Sequence, residues 1–302
     1  MDKKLFVATV VLGGGVAIAD PKFEYGKEEE VEKVKGTEWN ASAEGGVVFT
    51  TGNSETTTAT AGFKAARKTG QNKLAIDGSA AYARAGVRVL QDLNGNGMID
   101  NASEIVAQKS LTAEALAGKI RYDRFLTKFN SLFVAVLGSR DLPAGKEAVV
   151  GAQLGYSRQL YKSKSSETVA ELGYDYSHEN LVTGDPISIH SGRAFVGHKA
   201  ELTAGTTFET SGELLTNFNK ETLATAPAGD ASYGNAFRDT RFNFKASISA
   251  KIGKNLAVQT ALEARYDNRP GPLNLKGLAM GFVPEASKLD TIMKASLIYT
   301  IF

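Results

Sequence analysis

The sequence predicts an all-β fold, a transmembrane antiparallel up-and-down β-barrel of about twelve strands. Three observations predict it. From Trp39 onward apolar and polar residues alternate with a period of two, a pattern that a strand satisfies and a helix cannot. The connections alternate short with long along the chain, as expected for a barrel whose two ends lie on the same side of a membrane. The last segment is a strand ending in aromatics, Tyr299-Thr300-Ile301-Phe302.

The alternation is clearest over 238–252. Thr240, Phe242, Phe244, Ala246, Ile248, Ala250 and Ile252 fall on one face, and Asp239, Arg241, Asn243, Lys245, Ser247, Ser249 and Lys251 on the other. Segments 256–267 and 148–160 repeat it. Weaker versions complete the set, so strands are expected at 38–50, 55–68, 72–86, 109–123, 130–140, 147–161, 167–178, 188–202, 206–219, 237–252, 256–267 and 287–302. In 55–68 and 109–123 alanine and threonine blur the two faces. The expected turns at one end are Thr69-Gly70-Gln71-Asn72, 124–129, 162–165, 203–205 and 253–255, all short. The other end carries the loops 87–108, 179–187, 220–236 and 268–286, mostly longer and richer in Gly, Pro and Asn.

Before the first strand the chain reads as two segments. Lys3 and Lys4, the apolar run Leu5 to Val16 and Ala17-Ile18-Ala19 have the order of an export signal, so 1–19 is expected to be a cleaved signal peptide. Residues 20–37 carry the mixed-charge run Lys27 to Lys35, whose apolar face is too thin for a packed helix. They are expected to form a charged periplasmic N-terminal segment, with the barrel over 38–302. The 302 residues suit one domain, and the net charge of +2 is too small to suggest nucleic acid as a partner. The chain has no cysteine, which excludes disulfides and thiolate metal sites.

Alternation alone does not distinguish a membrane barrel from a soluble one, in which the apolar face would point inward. The charged set is large and mixed in sign, which suits a wet interior. Aromatics such as Trp39, Tyr82, Tyr122, Tyr174, Tyr176, Phe218, Phe242 and Tyr266 fall near strand ends, where interfacial girdles sit. The expected location is the outer membrane, with its lipids as partners.

The residues expected to line the interior are Glu167, Glu171, Asp175, Arg193, Lys199, Glu209, Glu213, Arg241, Lys245, Glu263 and Arg265. Facing arcs of opposite sign would set a transverse field across the lumen and screen solutes by charge and size. Alternatively, these residues pair with one another and fill a closed barrel, because a barrel of this size lies between filled small barrels and open porins. The expected function is a narrow passive channel for small solutes or ions, with a non-conducting envelope structural protein as the alternative.

Two local patterns carry other chemistry. Asp92, Asn94, Asn96 and Asp100, with Gly97 at the sixth position and Met98 supplying a carbonyl, have the oxygen spacing of a calcium loop. Position twelve is Ser103, and Glu104 sits one residue late. The other reading is an exposed Asn-Gly turn. Ser188 and His190 share one strand face, with His178 and Asn180 on the neighbouring strand, a set that could serve a lipid hydrolase. The spacing matches no known outer-membrane phospholipase motif, and the expectation is that the protein is not an enzyme. His198 is expected to face lipid near the inner rim without a special role.

Gly52-Asn53-Ser54-Glu55-Thr56 after the first strand, the threonine- and alanine-rich strand ending at Arg67, the run Tyr266-Asp267-Asn268-Arg269-Pro270-Gly271-Pro272 and the aromatic C-terminus resemble the salt-stress-induced outer-membrane proteins, a family grouped under a domain of unknown function. The resemblance spans nearly all of the chain after the signal and implies an outer-membrane barrel without established chemistry. Two features depart from it. The loop 87–108 looks like an insertion. The last strand places Leu289, Met293, Leu297, Tyr299 and Ile301 on one face and leaves out Phe302, which predicts a bulge or a slipped residue near the end.

Overall fold

A computed structural model describes residues 37–50, 55–90, 105–142, 145–182, 185–221, 234–270 and 287–301. The expected signal peptide and nearly all of the charged segment lie outside these residues. The regular structure among them is entirely strand: β1 Thr37–Thr50, β2 Glu55–Thr69, β3 Asn72–Leu90, β4 Ile105–Phe125, β5 Asn130–Asp141, β6 Lys146–Lys162, β7 Ser166–Leu181, β8 Ile187–Thr203, β9 Thr206–Asn217, β10 Thr240–Lys251, β11 Leu256–Asp267 and β12 Leu289–Thr300. Each strand pairs antiparallel with its sequence neighbours and β12 returns to β1, closing an up-and-down barrel without a crossover. Closure leaves no free sheet edge except where pairing stops short.

Each expected strand corresponds to one of these, with four corrections. The loop expected at 87–108 is shorter. β3 and β4 extend into it and pair to Leu90↔Ile105, because Val87, Val89, Leu90, Ile105 and Val106 are strand formers that the loop reading overlooked. β7 likewise runs to Leu181, and β10 begins at Thr240. The bulge expected near the C-terminus is absent from the paired part of β12, whose register with β11 is continuous from Tyr266↔Leu289 to Leu256↔Tyr299. Phe302 lies outside the described residues. Bulges occur instead at Ala83/Arg84, Ser139/Asp141, Lys146/Ala148, Gln159/Tyr161 and Glu201/Thr203.

One end of the barrel has the short turns 70–71, 126–129, 163–165, 204–205 and 252–255. In the first, Gly70 has φ of 55° and is the only turn residue with a positive angle there, as in the type II′ hairpins that match strand twist. The opposite end carries the long connections 91–104, 218–239 and 268–288 as well as shorter ones.

The burial pattern is that of a membrane barrel. Leu172 is 68% exposed and Leu116 60%, and Val150, Leu154, Val136 and Ile248 are exposed on the same outer face. The girdle aromatics Trp39, Tyr82, Tyr122, Phe218, Phe242 and Tyr266 share that face. Inward positions include charged residues shielded from solvent, with Arg121 1% and Glu171 2% exposed. In water this would bury ions and expose hydrocarbon, both at a cost; in a bilayer the outer face meets a matching solvent.

Candidate functional site: a lumen filled on one side

The lumen is crossed by an ion-paired bridge. Its centre is Arg121 on β4, whose neighbours Ile120 and Tyr122 point outward. Arg121 donates from Nε and Nη2 to the Asp123 carboxylate at 2.9 and 2.7 Å, and from Nη1 and Nη2 to Glu171 on β7 at 3.2 and 3.0 Å. Glu171 also accepts from Arg193 Nη1 on β8 at 2.7 Å and from the Ser157 hydroxyl at 3.2 Å. Arg193 Nε donates to Glu213 on β9 at 2.5 Å, and Asn243 on β10 donates to the other Glu213 oxygen at 3.1 Å. Glu171 and Glu213 thus each meet a cation and at least one further donor group, and Asp123 takes two bonds from one guanidinium, the condition under which buried ions are tolerated.

The bridge rests on an aromatic floor. The Arg121 guanidinium lies 3.8 Å from the centre of the Phe133 ring, and Arg193 lies 5.2 Å from that of Phe195. Space for Phe133 comes from Gly155, whose cross-strand partner is Gly173. A Cβ on Gly155 would sit 2.8 Å from the Phe133 ring and 2.6 Å from the Leu172 carbonyl oxygen. Beside the bridge, Lys119 donates to Gln153 at 3.0 Å and Gln153 to Asp175 at 2.7 Å.

The opposite side of the lumen is wetter. Glu263 on β11 is nearly buried beneath Lys294 at 3.0 Å, Arg265 at 3.5 Å and Lys245 at 3.7 Å, whose side chains are 29%, 22% and 24% exposed. At the level of the bridge the interior is therefore asymmetric, dry around Arg121, Glu171 and Arg193 and partly solvated around Lys245, Arg265 and Lys294.

A second cluster forms at the long-loop end. Arg241 donates to Glu179 at 2.5 Å and to Asp239 at 2.8 Å, and Lys146 lies 3.2 Å from Glu179. Beyond it, Asn217 is fully buried and donates to the Asn219 and Asn235 carbonyls, while its side-chain oxygen accepts from the Asp239 amide at 3.0 Å. Arg269 reaches Glu221 at 3.3 Å. Burial pushes the Glu221 carboxyl up to about 7 and the Asp239 carboxylate adds to the rise, while Arg241, Arg269 and Asn217 oppose it.

The eleven sequence-expected lining residues sit on inward positions of their strands. Glu171, Arg193 and Glu213 join the bridge, Asp175 borders it, and Arg241 belongs to the outer cluster. Lys245, Glu263 and Arg265 form the wetter side. Glu167 accepts from Gln159 at 2.6 Å, and Lys199 lies 3.6 Å from Glu209 nearer the short-turn end. The sequence reading missed Lys119, Arg121 and Asp123, although their alternation with Ile120 and Tyr122 was available as a signal. It also missed Glu179, Asn217 and Lys294. The expected calcium loop, Asp92 to Asp100, lies outside the described residues.

On the outward face Ser188 lies opposite His178, with Oγ 2.9 Å from Nδ1. His190 instead meets the Tyr174 hydroxyl at 2.6 Å, and Asn219 donates to the Ser188 carbonyl at 3.0 Å. The three rings Tyr174, His190 and Phe218 stack in tilted contacts beside them. His198 faces outward and bonds Thr168 at 2.8 Å.

A family model matches residues 43–301, from β1 through the end of β12. The chain belongs to that family, described as protein of unknown function, DUF481. Its fold is a closed up-and-down barrel of twelve antiparallel strands with an apolar outer face, a form in which strands can cross a membrane. The curated proteins include none that matches this DUF481 chain. Among solved structures it is similar to the NanC porin, with 9% identity, a TM-score of 0.42, and coverage of 86% of this chain and 98% of that one. It is also similar to the translocator domain of autotransporter NalP from Neisseria meningitidis, at 11% identity and TM-score 0.39, covering 86% of each chain. An anion-selective porin from Comamonas acidovorans is 10% identical at TM-score 0.37, with 88% of this chain and 99% of that one covered.

Proposed function

We propose that this barrel is a narrow passive channel for small solutes or ions in the outer membrane, exported by the signal peptide at 1–19 and oriented with its short turns toward the periplasm. One observation carries this reading. Beside the dry bridge, Lys245, Arg265 and Lys294 keep 22–29% of their side-chain surface in contact with solvent. A passage on that side would be off-centre and charged, which favours small polar solutes. Single-channel recording in planar bilayers tests it. Small ohmic steps are expected from the parent, and larger ones from Arg121→Ser wherever that variant folds. Well-folded parent protein without steps would refute the channel.

The second reading, a non-conducting structural barrel, is favoured by the bridge itself. Arg121, Glu171 and Arg193 are almost entirely shielded from solvent, and the same recordings separate the two. Neither reading includes catalysis. The Ser188–His178 pair sits among ring contacts in an aromatic girdle, a sufficient role for both residues. Equal phospholipase activity in Ser188→Ala and parent is the expected result. Two further parts of the proposal rest on sequence alone: calcium held by Asp92, Asn94, Asn96, Met98 and Asp100, and induction by salt stress, which transcript levels after a salt shift would test.

A further inference from the structure

The barrel closes through an unusually short ladder. β1 and β12 pair through four residues, Ser42↔Thr300, Ala43↔Tyr299, Glu44↔Ile298 and Gly45↔Leu297. On their other edges both strands are paired much further, β1 with β2 up to Thr50↔Thr56 and β12 with β11 up to Tyr266↔Leu289. Above Gly45 the ladder between β1 and β12 stops, although strand conformation continues to Thr50 and begins at Leu289. At Gly46 the strands are still close, since an added Cβ would lie 3.2 Å from the Ala295 carbonyl oxygen. Gly45, Gly46, Ala295 and Ser296 provide only small side chains to fill the space between them.

An open seam cannot simply face hydrocarbon. A backbone group without a partner in hydrocarbon costs several kcal/mol, so strand edges that leave the ladder above Gly45 call for a polar partner. The partly solvated half of the lumen lies behind the seam, with Lys294 on β12 itself and Lys245 and Arg265 on the two strands before it. The dry bridge spans β4 to β9, away from the seam. The unpaired half lies toward the long-loop end, because β1 runs from Thr37 at the short-turn end to Thr50.

We propose that the β1–β12 seam above Gly45 is a lateral opening between the wet side of the lumen and the outer leaflet, and that it takes a single-chain amphiphile. The headgroup would satisfy the strand edges and face the lumenal charges, while the acyl chain would remain in lipid. Such a site meets both demands of the seam, polar on its inner side and apolar on its outer side. It goes beyond a passive aqueous channel and does not require the lumen to conduct along its length.

Engineered cysteines test it cleanly, because the chain has none of its own. Ala43→Cys with Tyr299→Cys spans the paired part of the seam. Val47→Cys with Ala295→Cys spans the unpaired part at the register the ladder would have had. Disulfides require close, well-directed Cβ atoms, so the second pair is expected to oxidise at least about tenfold more slowly than the first, while a longer bismaleimide bridges both. In vesicles containing palmitic acid with a photoreactive diazirine on its chain, crosslinks are expected on the inward-facing Ser296 and Lys294 as well as on outward residues. The bismaleimide-bridged Val47/Ala295 variant is expected to lose the inward crosslinks. Equal oxidation of the two pairs, or crosslinks restricted to outward residues, would overturn the proposal. Conductance of the same preparations reports on the aqueous channel separately, so either idea can fail without the other.

Discussion

Arg121 on β4 reaches across three strand positions to Glu171 on β7, donating two hydrogen bonds at 3.2 and 3.0 Å while it holds Asp123 beside it with two more. This chord joins parts of the wall that lie a quarter of the circumference apart. Its carboxylate is shared with Arg193, so three charged side chains are fixed together out of contact with solvent. The transverse field expected from opposed arcs is therefore largely neutralised in this half of the lumen by direct pairing.

Removing one member should be costly. Arg121→Ala leaves Asp123 without its guanidinium partner and Glu171 with a single cation, both nearly buried. Breaking buried pairs in this way typically destabilises by about 3–5 kcal/mol. Urea unfolding in lipid vesicles, followed by the gel-mobility difference between folded and unfolded barrel, should show a loss of that size. A loss below about 1 kcal/mol, the range of exposed pairs, would mean that the bridge is hydrated.

The outer face should respond in the opposite sense to the inner one. Leu172→Arg places a cation on the outward side of β7, one position from Glu171 but facing lipid. It should cost about 2–4 kcal/mol if the position lies near the bilayer midplane. Thr207→Arg, on an inward and half-buried position of β9 near the short-turn end, should cost less in the same unfolding assay. Equal penalties would contradict the assignment of the two faces.

Glu221 gives the outer loop a pH dependence. Its carboxyl is raised from 4.5 to about 7 in the folded loop. Between those values the closed loop holds a proton that the open loop releases, so opening becomes easier as pH rises. The stabilisation from this group is full below 4.5 and is lost as pH rises through about 7. Hydrogen exchange at Asn217 to Glu221, corrected for the intrinsic rate, should be faster at pH 8 than at pH 6. Glu221→Gln should flatten that difference, and an unchanged difference in the variant would assign it to another group.

The proposed calcium loop can be titrated directly. Calorimetry on the folded barrel should register calcium binding that weakens at least about tenfold in Asp92→Ala and Asn96→Ala, because a hard cation depends on the number of oxygen ligands. The same affinity in both variants would reduce Asp92 to Asp100 to a turn.

The fold was legible because period-two alternation is local and repeats in strand after strand. Phe242, Phe244 and Ile248 against Arg241, Asn243 and Lys245 settle the two faces of β10 without reference to any other strand. The boundaries of β3 and β4 were less legible, since Val87 to Leu90 and Ile105 gain strand character from pairing with each other across the loop. The candidate site was legible only as a set of inward charges. Lys119, Arg121 and Asp123 were missed because alanine and threonine blur the earlier part of β4.

The sequence by itself determined the strand count, the alternating connections and the division of most strands into an apolar and a polar face, because each follows from neighbours along the chain. Only the tertiary structure decided which charges meet, that Ser188 pairs with His178 across the strand while His190 turns to Tyr174, that one half of the lumen is dry, and that β12 joins β1 over only four residues. Those outcomes depend on strand register and on closure of the cylinder. Both bring together groups separated by tens or hundreds of residues, and no local pattern encodes the distance between them.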